Sequence, residues 1–221
     1  MKLSNTVIKY LGMLIISLVF FTTYSDIFDE KLDANGDNYY YYILGKSLNE
    51  GNGYRSINTP ENTLHAHYPP VYPFVISVFM IFSDTTNFIK SINGFFLLGS
   101  LHLLFLTLFN FSKIKRPFVF LFVGIFCVLN YNLLTYSTIT MSEIPFLFFS
   151  IASFYLFLKF SKEKSKKRKI VYLFLLIMSV ALTFYIRTTG VVLFLTFFFY
   201  YLVQKEWKKS IIVAIVSVMV I

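Results

Sequence analysis

The chain has 221 residues, of which 57% are hydrophobic, 20% aromatic and 14% charged. A soluble domain carries about 25% charged residues, so the composition excludes a soluble globular protein and implies an integral membrane one. The net charge of +9 does not point to nucleic acid, because the basic residues gather in short loops between apolar blocks, as cytoplasmic retention of Lys and Arg produces.

The first apolar run, Val7 to Tyr24, follows Lys2. No small-x-small cleavage site follows it, so it is expected to stay as a span running from the inside outward. Residues 25–91 form an outer loop, and within it "GDNYYYYILGKSLNEGNGYRS" from Gly36 has helical spacing. Tyr41, Leu44 and Leu48 share one face, with Asp37 one turn earlier and Gly51 and Gly53 as the stop. This predicts an amphipathic helix along the membrane surface with a tyrosine belt at headgroup depth. Val71 to Phe82 is apolar but about a dozen residues long, too short for an upright span of about 20. Pro69, Pro70 and Pro73 break its start, and an interfacial or re-entrant helix is expected. The alternative is a tilted span through Lys90.

Further spans are expected at Ile92–Phe111, Pro117–Leu134, Ile144–Phe160, Ile170–Ile186 and Val191–Val203, with a last run from Ser210 still apolar at Ile221. A chain ending there reads as part of a longer protein. The basic loops "KIKR" at Lys113, "SKEKSKKRK" at Ser161 and "QKEWKK" at Gln204 are all cytoplasmic if Val71–Phe82 does not cross. The fold class is then all-α, a polytopic transmembrane bundle with interfacial helices in the outer loop. The lone Cys127 lies in an apolar run and reads as a small core residue.

On this topology four polar features face outward: the loop from Ser25 to Pro70, "TYSTITMSE" ending at Glu143, "RTTG" at Arg187, and the mouth between them. Asp26, Asp29, Glu30 and Asp33 precede Asp37 in ordinary solvated sequence. Asp37 can cap a helix or accept a proton. Glu143 in "MSEIPF" can likewise cap a helix that Pro145 begins, or serve a catalytic site. Arg187 can snorkel or hold an anionic lipid phosphate. His65 and His67 in "HAH" stand at i, i+2 with no third ligand, so no metal is assigned; His67 or Arg55 can meet a phosphate instead. "YPPVYP" is stiff and would hold its neighbours at the membrane edge.

The order of the first span, "GDNYYYYILGKSLNEGNGYRS", "HAHYPPVYPFVIS", "SEIPF" and "RTTG" resembles the GT-C class of membrane glycosyltransferases. Within it, the chain looks most like the bacterial branch related to protein O-mannosyltransferases and aminoarabinose transferases. The resemblance implies a polyprenyl-phosphate-linked sugar donor, an inverting transfer on the outer face, and a lipid, glycan or protein acceptor. It implies that Asp37 is the catalytic or acceptor-positioning carboxylate of the first outer loop. Relatives often follow it with a second acidic residue; here Asn38 stands there. Many carry a Lys before the paired prolines; here the neighbourhood offers His67. Glu143 and Arg187 match the acidic and basic residues of the later outer turns.

The resulting expectation is one glycosyltransferase domain over residues 1–221 in a bacterial plasma membrane. Asp37 and Glu143 are its catalytic candidates, and Arg187, His67, Tyr41 and Arg55 its substrate-binding ones. The cofactor is left open: a divalent metal is admissible but not required by the sequence. The competing expectation is a non-enzymatic transporter or lipid-sugar flippase, though such proteins place charges mid-span, whereas these sit at span ends. A third is a ligase or polymerase of cell-surface glycans, which would share the same substrates.

Overall fold

The computed structural model describes residues 4–31, 36–114 and 116–220, with side chains through residue 215; Asp33 lies outside the described residues. The architecture is all-α, a polytopic membrane bundle. Helix α1 spans Asn5–Ile27, α2 Asp37–Asn49, α3 Val71–Met80, α4 Thr86–Phe111, α5 Pro117–Val128, α6 Tyr131–Ser137, α7 Glu143–Lys162, α8 Lys166–Ile186, α9 Val191–Val203 and α10 Trp207–Val220. Among the described residues, α1, α4, α7 and α8 are each long and apolar enough to cross a membrane. The α5–α6 pair makes a fifth candidate if its two parts are one bent span.

Two runs differ in detail from the sequence expectation. Pro117–Leu134 is not one rod: it breaks at Leu129–Asn130 with a bend of 61°. Asn130 causes the restart, because its side chain accepts the Leu133 N–H at 3.1 Å and caps α6. Helix α4 begins at Thr86, well before Ile92, and so carries Lys90 inside it. That cation is 2% exposed and donates to Asp29 Oδ1 (2.6 Å), the Asp29 carbonyl (2.8 Å) and the Lys31 carbonyl (2.6 Å). These partners satisfy the ammonium and pin the end of α1 to α4; the hydrogen bond from Lys90, and then its charge, hold the Asp29 carboxyl below its ordinary pKa. Helix α9 keeps the 13 residues of its run, shorter than an upright span of about 20.

Helix α3 has 10 residues, about 15 Å of rise, half a hydrocarbon core. It lies against α2, and their contact sets where α2 points. Gly45 is the close approach: a Cβ there would sit 2.5 Å from Ile76 Cγ2 and 3.2 Å from the Pro73 carbonyl. Gly45→Val is therefore expected to lower stability by about 1–3 kcal/mol through overpacking, read as a lower Tm. Ile76→Ala in the same chain should recover part of the loss.

The bundle has two chemically different ends. At one, the basic turns gather: Lys162 Nζ lies 4.8 Å from the centre of the Phe111 ring, and Tyr201 near the end of α9 packs on Phe157 near the end of α7. At the other, hydroxyl and amide groups join the elements. Tyr24 donates to the Ser137 carbonyl at 3.2 Å. Asn93 donates to the Ile139 and Met141 carbonyls, both at 2.7 Å, and accepts from the buried Tyr72 hydroxyl at 3.0 Å. Through these bonds α4 and α3 hold the 138–142 turn in place.

Candidate functional site

The polar end draws together residues from four separate stretches of chain. Asp37 is the first residue of α2, where the helix dipole favours a carboxylate. Gly36 before it has φ +57, a left-handed value that a glycine adopts without strain. One turn later, the buried Tyr41 hydroxyl lies 2.9 Å from Ser142 Oγ. Ser142 immediately precedes α7 and also accepts from Arg187 Nη1 at 3.3 Å. The same Nη1 lies 2.6 Å from Glu143 Oε1, each side chain about a third exposed.

Local sequence places Arg187. It ends α8 in an extended conformation, and Thr188–Gly190 form a single 3₁₀ turn on which its carbonyl is closed by the Gly190 N–H at 2.8 Å. A Cβ on Gly190 would meet the Phe184 backbone nitrogen at 2.7 Å, so "RTTG" needs its glycine for a close approach. Among the described residues the Nε and Nη2 groups of Arg187 donate to no protein acceptor. Glu143 Oε2 is buried and makes no hydrogen bond there either. A buried carboxylate oxygen without a donor is costly.

The loop between α2 and α3 closes the other flank. Arg55 and Leu64 form an isolated antiparallel bridge, and the Arg55 guanidinium donates to the Asn62 carbonyl at 2.9 Å. Tyr68, just before the paired prolines, donates from its hydroxyl to Asp37 Oδ1 at 2.6 Å, and its ring lies 5.0 Å from that of Tyr41. Burial, then the Asp37 carboxylate, raise the Tyr68 phenol pKa. Burial also raises Tyr41, while Ser142 and the Arg187 charge oppose it and Asp37 and Glu143 add to it. Asp37, Glu143 and Arg187 thus all act on one tyrosine.

Of the sequence candidates, Asp37, Tyr41, Glu143 and Arg187 come together. Arg55 is half-buried and engaged with its own loop. His67 is exposed, with its ring edge-on to Tyr68 at 4.8 Å. Among the described residues no group of three His, Cys, Asp or Glu side chains gathers as a metal site would require.

Sequence reasoning missed Tyr68 and the role of His65. The His65 ring stacks on Tyr68 at 5.3 Å, its Nε2 accepts the Tyr68 backbone N–H at 3.2 Å, and its Nδ1 lies 3.0 Å from Ser56 Oγ. An accepting Nε2 fixes the neutral tautomer with Nδ1–H donating to Ser56. Burial, and next the neighbouring His67, push its pKa below the ordinary imidazole value. With the folded pKa depressed, stability contributed by the neutral ring is present above the unfolded pKa of about 6.5 and is lost as pH falls from there toward the folded value. His65→Ala is expected to loosen Tyr68 and its hold on Asp37. In a pH series of intrinsic Tm, the wild-type chain should lose stability on the acid side of about 6.5 more steeply than His65→Ala does.

No curated protein and no solved structure matches the chain. Residues 64–221 match the family model described as dolichyl-phosphate-mannose-protein mannosyltransferase. The match takes in Tyr68, Ser142, Glu143 and Arg187, while Asp37 and Tyr41 lie before its start. With more than half of its length matched, and a bundle of membrane-spanning helices to carry that match, the chain belongs to the dolichyl-phosphate-mannose-protein mannosyltransferase family of membrane glycosyltransferases.

Proposed function

We propose that residues 1–221 form a glycosyltransferase domain that moves a sugar from a polyprenyl-phosphate-linked donor to an acceptor hydroxyl on the outer face of the membrane. One observation carries this reading: the Asp37–Tyr68 pair and the Tyr41–Ser142–Arg187–Glu143 chain, drawn from chain positions 150 residues apart, meet where the Tyr41 and Tyr68 rings pack at 5.0 Å. The lipid phosphate sits against the free Nε and Nη2 edge of Arg187. The acceptor oxygen attacks the anomeric carbon as its proton passes to the Asp37 carboxylate. The bond from that carbon to the phosphate oxygen breaks, and the electron pair leaves on the phosphate, where Arg187 stabilises the growing charge. Glu143 keeps Arg187 aimed, and Tyr68 keeps Asp37 aimed. The Phe-rich spans offer the donor tail a route from the lipid to this point.

The outer face follows from charge. Lys113, Arg116 and the basic turn at 161–169 lie at the end of the bundle away from the cluster, and basic loops stay on the cytoplasmic side. With Cys127 replaced by Ser, a Ser165→Cys chain in intact cells should not react with a membrane-impermeant thiol reagent and should react once the membrane is opened. Reaction in intact cells would turn the cluster to the cytoplasmic side and remove the outer-face transfer.

A further inference from the structure

The opposite end of the molecule carries a second feature that sugar transfer does not use. From Lys159 to Lys169 the chain has seven basic residues, Lys159, Lys162, Lys164, Lys166, Lys167, Arg168 and Lys169, against one acidic residue, Glu163. Four of them are the first four residues of α8, with no acidic residue in that turn. The N-terminal turn of a helix is the end where its dipole disfavours cations. The single carboxylate is already committed. Glu163 Oε1 accepts the Lys164 and Ser165 N–H groups, each at 2.9 Å, and lies 3.3 Å from Arg168 Nη2. The Ser165 N–H, then the Arg168 charge, hold its carboxyl below the ordinary range.

This charge borders a cleft. Asn110 and Phe111 at the end of α4, Lys159, Lys162 and Glu163 at the end of α7, and Arg168 and Tyr172 on α8 enclose a volume of about 350 Å³. Aromatic faces seat the ammonium groups around it. Lys162 Nζ lies 4.8 Å from the Phe111 ring centre and Lys159 Nζ 5.5 Å from that of Tyr155. Neither has a carboxylate within ion-pair distance among the described residues. The Asn110 amide and the Tyr172 hydroxyl add neutral donors at the wall. Since α4, α7 and α8 are long and apolar enough to cross a membrane, their shared end lies at headgroup depth whichever way the bundle faces.

We propose that this cleft binds the phosphodiester headgroup of an anionic phospholipid of the surrounding leaflet. Lys159, Lys162 and Arg168 hold the phosphate, and the acyl chains descend along the apolar faces of α4 and α8. An anion here offsets the mutual repulsion of the turn, and a membrane lipid supplies that anion at high local concentration. The site is independent of the sugar-transfer reading, and so is its test.

The full chain, purified in a neutral detergent, is titrated with phosphatidylglycerol or phosphatidylcholine, and thermal unfolding is followed. The expected result is stabilisation by phosphatidylglycerol and none by the zwitterionic lipid. In Lys162→Gln/Arg168→Gln, half-maximal stabilisation should require about tenfold more phosphatidylglycerol. A charge-matched control, Lys205→Gln/Lys208→Gln in the third basic loop, should titrate as the wild type does. If the cleft variant folds poorly, Lys162→Arg/Arg168→Lys keeps the charges and should retain lipid stabilisation. Equal stabilisation of the wild type by both lipids would overturn the proposal, as would equal weakening in the cleft and control variants. Full stabilisation by millimolar inorganic phosphate alone would overturn the lipid as its source.

Discussion

Asp37→Asn is expected to fold, insert and bind the lipid-linked donor, yet to transfer sugar about a hundred- to ten-thousand-fold more slowly than the wild-type chain, the range that a positioned general base contributes. Asparagine keeps the shape of the side chain. Its Oδ1 still accepts the Tyr68 hydroxyl that holds Asp37 at 2.6 Å, and it remains a good residue for the start of a helix. What it loses is the capacity to take the proton of an acceptor hydroxyl. If Asp37 serves only to begin α2, Asp37→Asn should behave as the wild type, and Asp37→Ala should cost about 1 kcal/mol of stability with activity per folded molecule unchanged. Donor binding measured beside initial rates separates these outcomes. A wild-type rate in Asp37→Asn would remove Asp37 from proton transfer and leave Glu143 as the carboxylate to examine.

Arg187→Ala is expected to weaken use of the donor about ten- to a hundred-fold, corresponding to loss of a charge-assisted contact of about 1.5–3 kcal/mol. Nη1 engages Glu143 and Ser142, and the remaining donors are left for the lipid phosphate of the proposed reaction. Arg187→Lys keeps the charge but cannot serve both partners with a planar fork, so it should fall between wild type and Ala. Removal of Arg187 also strands Glu143, whose Oε2 already lacks a partner among the described residues. Glu143→Gln therefore provides the control. It should partly relieve the stability loss of Arg187→Ala without restoring donor affinity. Equal donor affinity in wild type and Arg187→Ala would mean that the guanidinium serves only Glu143 and Ser142.

Much of the fold was legible because apolar length is a strong signal. The helices α1, α7 and α8 fall within a few residues of the runs that hydropathy outlines, and Gly51 and Gly53, both at φ +77, stop α2 where their pattern placed the stop. The break at Asn130 was not legible. An Asn inside an apolar run is compatible with a straight span, and only its capping bond to Leu133 turns the chain. The start of α4 was hidden for a related reason: Lys90 looks like the edge of a span until its three acceptors, supplied by residues 59 to 61 positions earlier, are seen.

At the candidate site, sequence singled out the charges at span ends, Asp37, Glu143 and Arg187, because such charges are expensive near lipid. It did not reveal that Tyr41 meets Arg187 through Ser142, since a hydroxyl pair 101 residues apart leaves no periodic trace. Of the two histidines in "HAH", the sequence favoured His67 through its nearness to the prolines. The structure instead shows His65 fully engaged with Tyr68 and Ser56. Both rings contact Tyr68, and nothing in the motif says which of the two is hydrogen-bonded to its neighbours.

The most direct measurement uses a polyprenyl-phosphate mannose carrying tritium in the sugar and ³²P in the phosphate, given to the purified chain in proteoliposomes with an acceptor extract. The two labels should separate: tritium passes to the acceptor, ³²P stays in the lipid fraction, and Asp37→Asn leaves both where they began. Tritium and ³²P that remain together on the lipid while it crosses the bilayer, or that pass together to the acceptor, would contradict sugar transfer from a lipid phosphate.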